Sequence, residues 1–313
     1  MLRKWLLASI VLAAIVAPAA ADDVTAKMRE ASKTALAQKA GGVVESNVKI
    51  ARGDETIVGT LALPKGVEKP PVVLLLHGFT GKRDELAVAG TEEGVYSRTA
   101  RLLAERGVAS LRIDFVGSGD SSGKWEDTTT FSQIADAVAA FDWLKKQDNV
   151  DAAKIHVIGW SLGGLVASHL AAVRPVDTAT LWAPVANPAF SFGVVLGQEA
   201  VNKALASKDP NELIEGTLPW GAKTTLKVSF FKSLFATDPV AAMAQYGGPL
   251  LVIVGTRDTV VTPQPAAGQL FLDYHSGEEG LMVLDTDHGF DAFTGPATLD
   301  EMVGATLSFI EAH

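Results

Sequence analysis

Apolar residues in this chain fall into short unbroken runs, separated by longer stretches in which they recur every three or four positions. The runs lie at 72–76, 108–115, 155–160, 180–183, 250–254 and 281–284. A strand that is apolar on both faces must be covered on both faces, which is the condition of an inner strand in a parallel sheet. Helical periodicity occupies the intervals 95–106, 131–147, 162–173, 263–274 and 296–311, several of them opened by a proline or a capping-type residue. Ahead of them, 47–51 and 56–63 read as an opening hairpin turning at Gly53-Asp54. A polar, helix-prone stretch at 24–39, closed by Gly41-Gly42, precedes that hairpin. This order predicts an α/β domain with a mostly parallel eight-stranded sheet and helices on both faces.

One interval breaks the rhythm. From about 185 to 236 no βα unit is legible, and Phe190, Phe192, Trp220, Phe230 and Phe231 are scattered among glycine and proline. Long insertions in such domains tend to carry function, so the interval reads as a largely helical lid over the C-terminal edge of the sheet. An ordinary pair of core helices is the alternative.

The first 21 residues have the layout of an export signal. Arg3 and Lys4 supply the positive start, an apolar run extends from Leu6 to Ala17, and Ala19-Ala20-Ala21 forms a small-residue cleavage site before Asp22. The run is short of the ~20 residues of a membrane span, so cleavage is expected over a retained anchor, leaving no stable membrane association. The expected product is one domain over 22–313, periplasmic or secreted from a bacterium. The formal charge of -9 over the full chain and the absence of a basic cluster argue against nucleic acid as a partner. Zero cysteines remove disulfides, thiolate metal sites and a cysteine nucleophile together.

The chemistry concentrates in Gly159-Trp160-Ser161-Leu162-Gly163, which has the spacing of a nucleophile elbow, with a strand before the serine and a helix after it. A serine hydroxyl needs a base to take its proton and a third group to fix the base's tautomer. Those partners are expected downstream, acid before histidine. Asp258 follows the run at 250–254, and His288 follows the last strand; both sit on loops leaving C-terminal strand ends, where such sheets place their sites. Asp285 and Asp287 are the competing acids. His77, His156, His169, His275 and His313 fit the base's position less well. Between them, the backbone amides of Phe79, in His77-Gly78-Phe79-Thr80-Gly81, and of Leu162 would donate to the oxygen that turns negative. Trp160 and Trp182 are the candidate substrate-binding aromatics, each with a place in the core as the alternative.

On these residues the chain resembles the α/β-hydrolase superfamily over nearly all of the region after the signal. Within it, the run from His77 to Gly81, the stretch Arg112-Ile113-Asp114-Phe115-Val116-Gly117-Ser118-Gly119-Asp120-Ser121, and Gly123-Lys124 with Glu126-Asp127-Thr128 are similar to bacterial cinnamoyl and feruloyl esterases. The resemblance implies hydrolysis of small aromatic-acid esters, with a lid contributing to the acyl pocket. The elbow departs from that pattern, with Trp160 and Leu162 where those enzymes carry a histidine and a glutamine. The expected activity is therefore serine carboxylic-ester hydrolysis on short-acyl or aromatic esters, without metal or organic cofactor. Monoacylglycerol-lipase-like, thioesterase and acylaminopeptidase activities would use the same residues. A non-catalytic binding protein on the same scaffold is the reading from another class.

Overall fold

The computed structural model describes residues 18–37 and 41–313. Most of the expected export signal, and the end of the first predicted helix at 38–39, therefore lie outside the described residues. Helix α1 (Pro18–Ala37) is followed by the antiparallel hairpin β1 (Val43–Arg52) and β2 (Glu55–Pro64). Then come β3 (Val72–Leu76), α2 (Val95–Glu105), β4 (Ala109–Ile113), α3 (Thr130–Leu144), β5 (Ile155–Trp160), α4 (Leu162–Val173) and β6 (Ala179–Trp182). After an inserted segment, β9 (Leu250–Gly255), α9 (Ala266–Tyr274), β10 (Glu279–Leu284) and α10 (Ala297–Ala312) complete the chain. The segment itself holds α5 (Pro188–Leu196), α6 (Gln198–Ala206), the strands β7 (Leu213–Thr217) and β8 (Lys223–Lys227), α7 (Val228–Leu234) and, rejoining the sheet, α8 (Pro239–Met243).

Eight strands form one sheet in the order β1-β2-β4-β3-β5-β6-β9-β10. From β4 to β10 every pairing is parallel, while β1 and β2 pair antiparallel at one edge. Alternation along β3 sends Val72, Leu74 and Leu76 into the core under α3, α4 and α9, and Val73 and Leu75 into the core under α2 and α10. The unbroken apolar runs are thus the sequence image of a sheet sandwiched between two helical layers. The far edge strand is guarded by α1, whose buried Thr25 hydroxyl accepts the Val283 amide at 3.0 Å. An edge amide occupied in this way cannot template another chain.

The inserted segment differs from the expected helical lid. Between 185 and 236 there are only three short helices, and β7 and β8 pair as a separate antiparallel hairpin. Its strands carry few apolar residues, with Ile214 buried between exposed Leu213 and Glu215 and Leu226 buried between half-buried Thr225 and Lys227, so no apolar run marks them. Phe192, Phe230 and Phe231 are buried and join the core on the α3, α4 and α9 side of the sheet, and Phe192 and Phe230 both pack against Phe79. That contact seats the segment over the C-terminal ends of the strands.

Candidate active site

Ser161 lies between the last residue of β5 and the first of α4, and the turn forces it to φ 56° and ψ −115°. A serine tolerates that conformation only when its surroundings over-determine it. They do: the Ser161 amide donates to Trp182 O at 2.9 Å, while its carbonyl accepts the amides of Gly164 and Val185 at 3.0 and 3.1 Å. The two flanking glycines are needed for close approach. A Cβ on Gly163 would overlap the carbonyl oxygen of Leu76, and one on Gly159 would overlap that of Gly163.

His288 stands on the loop between β10 and α10, and its Nδ1 is 2.7 Å from Asp258 Oδ2. The Asp258 side chain is fully buried at the end of β9, where its other oxygen accepts the Val260 and Val261 amides at 2.8 and 2.9 Å. These bonds fix the carboxylate against the imidazole and require the histidine proton on Nδ1. Nε2, the free lone pair, is then the basic face. The competing acids point elsewhere: Asp285 is exposed and pairs with Arg257, and Asp287 accepts the amides of Gly289 and Asp291. Among the described residues Ser161 makes no hydrogen bond to His288, yet both line one cavity of about 660 Å³. Such bonds commonly tighten only when substrate binds.

The Phe79 and Leu162 amides have no acceptor among the described residues. The loop that carries Phe79 is held from beneath by His77. The Phe115 amide donates to His77 Nε2 at 3.2 Å, so the ring proton is on Nδ1, which donates to Gly78 O at 2.8 Å. Burial lowers this imidazole to about 4, keeping it neutral. Asp114 ties the same loop to the end of β4, accepting the Arg83 and Asp120 amides at 2.7 and 2.9 Å. The motif between Arg112 and Ser121 is thus scaffolding for the loop around Phe79.

Trp160 lines the cavity, and its indole N–H donates to the His288 carbonyl at 3.2 Å. Trp182 does not line it, which corrects the pairing of the two tryptophans as substrate contacts. Although the two are register partners on adjacent strands, Trp182 is wholly buried beneath α10, against Tyr96 and Phe290, with its indole N–H 3.4 Å from Thr306 Oγ1. The cavity wall is completed by residues not singled out from the pattern: Val195, Val260, Val261 and Phe293, and the carboxyl of Glu85. Glu85 sits in Lys82-Arg83-Asp84-Glu85, which reads as a solvated charge run, so no local signal marks it.

Comparison with known proteins agrees with this fold. A family model described as the alpha/beta hydrolase fold matches residues 71–207. Esterase EstD of Thermotoga maritima is 26% identical over 243 residues, covering 73% of this chain and 56% of EstD. An uncharacterized 31.7 kDa protein of Escherichia coli is 24% identical over 67% of this chain and 80% of its own length. Among solved structures, Est1E from Butyrivibrio proteoclasticus with ferulic acid bound superposes with a TM-score of 0.64 at 26% identity, over 82% of this chain and 97% of Est1E.

Proposed function

We propose that this chain, a protein of the α/β-hydrolase superfamily similar to bacterial esterases, is an exported serine carboxylic-ester hydrolase. The observation that carries the reading is the bond of 2.7 Å between Asp258 and His288 on the wall of the cavity that Ser161 faces from its strained turn. In the first step Ser161 Oγ attacks the ester carbonyl while His288 Nε2 takes its proton, and the imidazolium that forms is steadied by Asp258. The carbonyl oxygen, turning negative, receives the amides of Phe79 and Leu162. Collapse of the tetrahedral intermediate returns the proton to the departing alcohol, and water then releases the acid by the same path.

The cavity supports an apolar acyl group. Phe79, Trp160, Phe192, Val195, Val260 and Val261 supply its wall, and no lysine or arginine among the described residues lines it. A phosphorylated or free-carboxylate substrate would find no countercharge there. Short-acyl and aromatic esters of the cinnamoyl or feruloyl type fit this lining, and the likeness to a protein that binds ferulic acid supports that class. The inserted segment, which contributes Phe192, Val195 and Trp220, acts as the lid that shapes the pocket.

The test is Ser161→Ala in purified protein. It should abolish turnover of p-nitrophenyl acetate and labelling by a fluorophosphonate while leaving the circular-dichroism spectrum unchanged. Retained turnover removes Ser161 from the mechanism. A panel of methyl ferulate, monoacylglycerol and acyl-thioester substrates then assigns the acyl class, with methyl ferulate expected to give the highest kcat/KM.

A further inference from the structure

Glu85 has an environment that the mechanism above does not use. Its carboxyl lies against both glycines of the loop that carries Phe79. Oε1 accepts the Gly78 amide, and a Cβ on Gly81 would stand 2.5 and 2.7 Å from the two carboxyl oxygens. A Cβ on Gly78 would stand 3.4 Å from Glu85 Oε1 and 3.5 Å from Ser161 Cβ, so the carboxyl and the nucleophile flank the same glycine. The chain accepts left-handed backbone at two side-chain-bearing residues to achieve this, Thr80 at φ 62° and Glu85 at φ 61°.

We propose that Glu85 is a positioning residue for the oxyanion hole: by holding the Gly78 amide it sets the adjoining peptide so that the Phe79 N–H points at the reacting oxygen. The proposal rests on the hydrolase reading. Among the described residues no cation faces this carboxyl. Arg83 is taken by Asp114 and Asp120, and Asp84 by Arg112. His77 is neutral, His288 is paired with Asp258, and the Tyr96 hydroxyl donates to Leu76 O. Asp287, on the same cavity, brings further negative charge rather than relief. Desolvation pushes Glu85 up to about 8, with the Gly78 amide opposing it only in part. Near neutral pH the group is therefore a carboxylic acid, still able to accept the Gly78 N–H through its carbonyl oxygen. Its ionisation would place a negative charge beside the oxygen that must become negative in the transition state, in a cavity with a mostly apolar lining. Turnover should consequently fall as the pH rises through the Glu85 titration.

The experiment compares the full chain with Glu85→Gln, which keeps an acceptor and cannot ionise, and Glu85→Ala, which removes it. In the wild type, kcat for p-nitrophenyl acetate should decline with a midpoint of about 8. In Glu85→Gln that alkaline decline should disappear. In Glu85→Ala kcat should fall ~10- to 100-fold with KM within about threefold, less than the ~100- to 1000-fold of a deleted donor. An alkaline limb persisting in Glu85→Gln, or Glu85→Ala keeping kcat within about threefold, overturns the proposal. If Glu85→Ala fails to fold, the Glu85→Gln profile decides alone. An NMR titration separates this from the hydrolase reading, because it needs no substrate. The Gly78 and Phe79 amide resonances should shift with a midpoint of about 8 in the wild type and stay flat in Glu85→Gln. Titrating amides in a chain that turns over no ester would sink the hydrolase reading and with it the catalytic role of Glu85, while leaving the carboxyl's hold on the loop intact. Flat amides in an active wild type would sink the positioning role alone.

Discussion

Replacing Asp258 by asparagine tests the heart of the site, because the geometry dictates which way the new amide must face. Asp258 Oδ1 accepts two backbone amides, those of Val260 and Val261, and Oδ2 accepts one ring N–H, that of His288. Asparagine has a single acceptor oxygen. Turning its NH2 toward the two amides would leave two buried donors unsatisfied at ~1 to 3 kcal/mol each, against a single lost bond on the histidine side. The oxygen therefore stays with Val260 and Val261, and the NH2 faces His288. Nδ1 must then become an acceptor, the ring proton moves to Nε2, and the base has no lone pair for Ser161. A mis-set tautomer of this kind lowers kcat ~10,000-fold, or about 5.5 kcal/mol of barrier, with KM little changed. Stopped-flow release of p-nitrophenol would measure it, with thermal melting as the control for folding. Asp285→Asn, at an exposed carboxylate paired with Arg257, should move the rate less than about threefold. If Asp258→Asn kept the rate within about tenfold, the tautomer argument and the assignment of the acid would both be refuted.

Two further outcomes concern stability. Gly163→Ala should destabilise the fold by ~1 to 3 kcal/mol in urea melts and depress turnover, because its methyl overlaps the Leu76 carbonyl and must push α4 from β3; an unchanged midpoint would show that the elbow can relax. Glu85, whose folded-state acidity is weakened from 4.5 to about 8, binds its proton more tightly folded than unfolded, so its contribution is greatest below the unfolded value and is lost as pH rises through that window. Unfolding free energy should therefore drop between about pH 5 and 8 more steeply in the wild type than in Glu85→Gln, by about 2 kcal/mol after allowance for the side of the residue open to the cavity; parallel curves would show that the carboxyl is not desolvated.

The comparison of pattern with fold is instructive at particular residues. The six apolar runs became β3, β4, β5, β6, β9 and β10, most within two residues of the expected ends, because a strand covered on both faces leaves a signal that needs no partner to be read. The predicted helix at 263–274 begins only at Ala266, since Pro263 and Pro265 withhold the first turn. Hairpin β7–β8 leaves no such signal because each strand buries a single large apolar side chain, Ile214 or Leu226, among polar or exposed positions. Among the acids, the place of Asp258 on the loop after the run at 250–254 sets it ahead of Asp285 and Asp287 in sequence; the fold adds the direction of each side chain, buried toward His288, exposed toward Arg257, or folded onto its own turn.

What the amino-acid order determined by itself was therefore everything carried by local period and spacing: an α/β sheet of eight strands, the turn holding Ser161, and the succession of serine, acid and histidine along the chain. Tertiary structure alone decided which of two adjacent tryptophans meets the cavity, that a hairpin lies within the inserted segment, and that a carboxyl from a charge run lies beneath the Phe79 loop. The division follows from physics. Periodicity reports how much of a residue is covered, but not by what, and the chemistry of Trp182, Asp258 and Glu85 depends on neighbours that only folding brings near.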